Sequence, residues 1–165
     1  MENANVQVRT TSFLARSGRI VLARIQRNTD LLTGIIDICR KNNFRMAVVE
    51  TVIGSLRSAE ISWTKPSAAT KRGSERTPRV PVPGPIEFIS GQGIFCLADP
   101  ERPVVHFHGS FCDSEGKCWA GHFFQGGNPV HSTMDVVVHE LLDVKMNWVH
   151  DEEIDLELPV PDKDC

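Results

Sequence analysis

The chain has 165 residues, a formal charge of −3 and ordinary apolar and charged content, which suits a single domain with a full core. The mildly negative balance excludes global attraction to nucleic acid or to an anionic membrane, and no apolar run approaches the roughly 18 residues that span a bilayer. Five cysteines without a C-x-x-C framework, and a start with no basic-then-apolar leader, point to reduced thiols in a cytoplasm.

Residues 1–14 are polar and mixed, and are expected to form a flexible arm. Arg19 to Ile25 is a strand of branched apolar residues. Asn28-Thr29-Asp30 supplies a capping cluster. Leu31, Leu32, Ile35, Ile36 and Cys39 then recur at helical spacing, which predicts an amphipathic helix over residues 30–41. Residues 45–63 are long for one strand, and Gly54-Ser55 suggests a bulge or break between two. Lys65 to Arg79 is the one shift in composition. It carries five cations (Lys65, Lys71, Arg72, Arg76 and Arg79) against Glu75, and is expected to be a mobile loop, either solvated or in contact with phosphate. Glu87 to Leu97 is expected to be two short strands around a Gly-x-Gly break. It lacks the third glycine and following helix of a dinucleotide fingerprint. Asp99 to Pro103 is a turn.

Val104 to Gly127 is the centre of the chain. Val104-Val105-His106-Phe107-His108 and Cys118 to Phe124 are β-rich, with a turn cluster between them. Alternation puts His106 and His108 on one face. A five-residue loop, Asp113 to Lys117, pairs Cys112 with Cys118 and His108 with His122, and Gly116 supplies a positive φ if the loop needs one. In that register the Cβ atoms of His108 and His122 lie about 5 Å apart. A slip of one residue sends His122 to the other face. Three imidazoles can then converge on one divalent ion, with zinc the first expectation, at about 2.1 Å per nitrogen. Neutral imidazoles are required, so occupancy is expected to fall as the pH drops through about 6. The plain alternative is three hydrogen-bonded histidines on a half-buried sheet. A Cys112–Cys118 disulfide is geometrically open, but a reducing compartment argues against it.

Ser132 to Leu142 predicts a final core strand, with a helix as the weaker option. Residues 146–165 are expected to form an acidic tail with a short edge strand at Ile154 to Leu158. One helix and several turn-linked strands give an α+β fold over residues 15–145, a single compact domain with an antiparallel or mixed sheet.

The ordered set G-S-L-R (54–57), P-I-E-F-I-S-G-Q-G (85–93), H-F-H-G-S, D-S-E-G-K-C-W-A-G-H-F-F-Q-G-G and S-T-M-D-V-V-V-H-E-L resembles the plants-and-prokaryotes-conserved (PPC) domain over residues 15–145. The resemblance implies a compact α+β domain that forms a homotrimer, and a metal held by histidines at His106, His108 and His122. It also implies DNA or other regulatory proteins as partners. Plant members carry an AT-hook with an R-G-R-P core. This chain has none, and Arg72-Gly73-Ser74-Glu75 is the nearest approach. DNA contact, if made, would be weak and non-specific through the basic loop. The other function open to the three histidines is that of a metal-dependent enzyme or small-ligand binder, with Glu50, Glu60 and Glu87 as candidate bases.

Overall fold

The computed structural model describes residues 8–99 and 102–164. Residues 1–7 of the expected arm, Pro100 and Glu101 of the expected turn, and Cys165 lie outside the described residues. The described chain is mostly antiparallel sheet with one short helix. The principal sheet has the order β1-β8-β2-β5-β6-β7, from β1 (Arg16–Gln26), β2 (Met46–Ser62), β5 (Val80–Asp99), β6 (Arg102–Cys112), β7 (Cys118–Phe123) and β8 (Val130–Leu142). The far end of β2 also pairs with β7, through Ile61–Phe123 and Ser62–His122. That pairing closes β2, β5, β6 and β7 into a small barrel.

Helix α1 (Leu31–Lys41) forms where its periodicity predicts. The Asp30 carboxylate accepts from the Thr33 N–H at the N-terminus, and Arg40 and Lys41 occupy the last turn. Its buried face, Leu31, Leu32, Ile35, Ile36 and Cys39, joins the core. The barrel interior is filled by Phe88, Phe107, Phe111 and Phe123, packed mostly edge to face. These rings explain why β5 does not break at Gly91-Gln92-Gly93. A Cβ at Gly91 would stand 2.2 Å from the Phe107 ring. The glycine therefore makes room for an inward aromatic, and one strand runs through from Val80 to Asp99. Likewise β2 is continuous, with its register shifted on both sides of Gly54.

Two stretches expected to be loose are paired instead. Within residues 65–79, β3 (Thr64–Pro66) and β4 (Ser74–Arg76) form a small hairpin. The acidic end forms a second one from β9 (Val144–Asp151) and β10 (Leu156–Lys163), in place of a solvated tail. Its apolar residues recur at alternate positions, and Val144 and Met146 pack with Met46 and Cys96. No helix among the described residues is long and apolar enough to cross a membrane.

Candidate metal centre

The site is built by alternation. His106 and His108 point outward from β6, while Phe107 between them is fully buried. On β7, His122 points outward and Phe123 inward. The register is the favourable one, with His108 opposite His122 and Cys112 opposite Cys118. The turn holds it there. Asp113 N–H donates to the Lys117 carbonyl, and the Asp113 carboxylate accepts from Glu115 N–H, Lys117 N–H and the Trp119 indole. Gly116 takes the positive φ of 79° that lets the loop close.

His106 Nε2 and His108 Nε2 are 3.1 Å apart, and His122 Nδ1 lies 3.4 Å from His108 Nε2. One nitrogen from each ring falls within 4.8 Å of the others. A tetrahedral ion at about 2.1 Å from each ligand separates two ligand nitrogens by about 3.4 Å. The donor set therefore fits a metal ion in chemistry, and its two closest separations fall near that spacing. Among the described residues, carboxylates and thiols stay outside the group. Burial, followed by the Arg76 charge, lowers the pKa of His106. Burial lowers that of His108, with His106 and Arg76 adding to it. Burial, then Arg76 and the two neighbouring rings, takes His122 from 6.5 to about 4. The imidazoles are thus held neutral, the form that coordinates. Protons compete for His122 well below the pH of about 6 expected for an ordinary histidine.

Arg76 comes from the basic segment, and nothing local in the sequence foretold its position. Its guanidinium donates to Ser62 Oγ, and Ser62 is the cross-strand partner of His122. The other four loop cations also have partners within the chain. Lys65 pairs with Glu75 at 3.0 Å and Arg79 with Glu60 at 3.0 Å. Lys71 donates to the Glu152 carbonyl, and Arg72 to the Ser74 carbonyl.

An open groove of about 500 Å³ runs beside the histidines, lined by Val48, Glu50, Gln92, Ile94, His106 and His108. Of the three candidate carboxylates, Glu50 alone lines it. Glu60 is paired with Arg79, and Glu87 stands opposite Cys112 on β5. Sequence reasoning missed a second histidine group at the far side. His139 Nδ1 lies 2.9 Å from the Glu50 carboxylate, and its Nε2 lies 2.7 Å from Ser17 Oγ. Three separate strands contribute these residues, so no local spacing could announce them.

The model of the Plants and Prokaryotes Conserved (PCC) domain matches residues 14–142. The chain belongs to the PCC family. No curated protein sequence matches it. Solved structures share the PCC fold. A metal-containing protein from Archaeoglobus fulgidus is 23% identical, with a TM-score of 0.76, covering 92% of this chain and 99% of that one. A plant- and prokaryote-conserved protein from Pyrococcus horikoshii is 24% identical, with a TM-score of 0.70, covering 90% and 97%. A candidate DNA-binding protein from Ralstonia eutropha JMP134 is 16% identical, with a TM-score of 0.63, covering 84% and 88%. At these identities the likeness establishes the fold.

Proposed function

We propose that this PCC chain is a cytoplasmic metal-binding regulatory module that works as a homotrimer. His106, His108 and His122 hold one divalent ion, with zinc the first choice. The observation that carries this reading is the convergence of three imidazole nitrogens within 4.8 Å on an outer sheet face. Imidazole donors suit zinc, copper, nickel and iron better than magnesium or calcium. The name of the archaeal relative of the same fold, metal-containing, supports it. Three protein ligands leave a coordination position open for a small ligand, and the groove gives that ligand room. When bound, such an ion acts as a Lewis acid and lowers the pKa of its water to about 7. The residue of this chain fitted to take a proton in the groove is Glu50, oriented by His139. Self-association is supported by Ile20 and Leu22 on edge strand β1, exposed at 63% and 78%.

Metal analysis of the purified chain tests the reading. The expected result is about one zinc-class ion per chain, reduced to background in the His106→Ala, His108→Ala double variant. Full metal content in that variant overturns it. Sedimentation tests the assembly separately, and a monomer at micromolar concentration removes the trimer.

A second reading, contact with DNA, is favoured by the name of the Ralstonia relative. Here it would rest on Lys65, Lys71, Arg72, Arg76 and Arg79. Their internal partners and the net charge of −3 limit it to non-specific affinity, on the order of 10⁻⁴ to 10⁻⁶ M at physiological salt. Replacing Lys71, Arg72 and Arg76 with alanine is expected to abolish it. Tight, salt-insensitive binding in that variant sinks this reading.

A further inference from the structure

We propose that Cys112 and Cys118 form a reversible covalent site, a dithiol that closes to a cross-strand disulfide by exchange with a small-molecule disulfide of the glutathione class. The two residues are direct partners at the end of the β6–β7 ladder, with their sulfur atoms 3.2 Å apart. Hydrogen-bonded and non-hydrogen-bonded pairs alternate along an antiparallel ladder. Asp113 N–H bonds the Lys117 carbonyl at the next position, so Cys112 and Cys118 are a non-hydrogen-bonded pair. Such pairs hold their Cα atoms about 4.5 Å apart, within the roughly 4.4–6.8 Å that a disulfide accepts. Closure therefore needs side-chain rotation and no change of backbone. The turn holds both strands in place through three hydrogen bonds to the Asp113 carboxylate.

The reaction is thiol–disulfide exchange in two steps. Cys118 is exposed and Cys112 half-buried, so Cys118 meets the small disulfide first. Its thiolate attacks one sulfur, the S–S bond of the reagent breaks, and one small thiolate leaves. The Cys112 thiolate then attacks the Cys118 sulfur of the mixed disulfide and expels the second. Two protein thiols are oxidised to one disulfide, the reagent is reduced to two thiols, and the two protein protons pass to the two leaving thiolates. The Cys112 thiol is held above its usual pKa by its hydrogen bond with Cys118, by burial, and by the Asp113 and Glu87 carboxylates. Cys39 and Cys96 are buried in the core and do not compete. The pair sits four positions along the same ladder from His108 and His122, so closing it pins the strand register on which that histidine pair depends.

Lys117 makes the test direct, because trypsin cuts between the two cysteines. The full chain is incubated with oxidised glutathione, alkylated and digested without reductant. The expected result is loss of two alkylatable thiols, with the Cys112 and Cys118 peptides joined, and their complete separation after dithiothreitol. In Cys112→Ser, Cys118 is expected to stop at a stable glutathione adduct. The proposal is overturned if wild-type Cys118 stays as the adduct with Cys112 reduced. It is also overturned if other cysteines are joined, or if both thiols remain alkylatable in a buffer that fully oxidises dithiothreitol.

Discussion

Two groups of histidine chemistry share one face of the sheet and differ in what their nitrogens do. Ile20, His139, Val48, Ile94 and His106 are successive cross-strand partners on β1, β8, β2, β5 and β6, a single row across five strands. At one end, both ring nitrogens of His139 are committed, to Glu50 and to Ser17. At the other, among the described residues, ring nitrogens of His106, His108 and His122 approach one another. Three like donors crowded together gain little from each other, because a neutral imidazole offers one donor and one acceptor. A cation offers all three something better. A histidine becomes a candidate ligand through what its neighbours leave unmet. His139 is tied into the fold, whereas the trio is the group proposed to hold an ion.

Truncating one histidine from each end separates the two roles. His108→Ala is expected to take metal content from about one ion per chain to background, while His139→Ala leaves it unchanged. Elemental analysis of the two variants side by side decides it, and equal metal loss in both would erase the distinction. Stability should move the other way. His139→Ala removes two hydrogen bonds between strands, an expected loss of about 1–3 kcal/mol, read from the urea midpoint of metal-free protein. His108→Ala is expected to change that midpoint far less, since its ring is exposed.

Acid sharpens the contrast further. The folded-state pKa of His122 is depressed from 6.5 to about 4, so in this range the unfolded chain binds the proton first. The stability tied to neutral His122 is fully present above pH 6.5 and is lost as the pH falls toward 4. Metal occupancy, followed in buffered steps, is accordingly expected to survive below pH 6. Loss of half the metal at pH 6 or above would contradict the lowered pKa. The smallest effect expected is that of Arg76→Ala. Burial outranks the Arg76 charge among the causes at His122, so removing the guanidinium raises the pKa only part of the way. The acid limb of the occupancy curve should shift upward modestly, with metal content at neutral pH unchanged. A titration of the His122 ring by nuclear magnetic resonance in the metal-free variant checks the direction.

How far the site was legible from the chain depends on range. H-x-H on a strand, a five-residue turn with Gly116 and an inward Phe107 are local signals. The His108–His122 pairing follows from them by counting back from the turn. The helix was equally legible, through its cap and its 3.6-residue period. Alternation and periodicity are properties of one segment, set by backbone sterics and burial, so a sequence carries them whole.

What the tertiary structure decided is what joins segments far apart in the chain. Gly91-Gln92-Gly93 looked like a break because glycine usually punctuates a strand. Only the Phe107 ring against Gly91 shows that the missing side chain is space taken by a neighbour. Three of the five loop cations, Lys71, Arg76 and Arg79, looked available because their partners, Glu152, Ser62 and Glu60, lie outside the segment. The acidic end looked like a tail because charge repulsion is visible in a sequence, and the β9–β10 ladder that offsets it is not. The Ser17–His139–Glu50 group had no signal at all, since its members stand on β1, β8 and β2, separated by 122 and 89 positions. Residues so distant meet only when strand order and register place them in one row. That is a consequence of burying one common core, and no short stretch of the chain contains it.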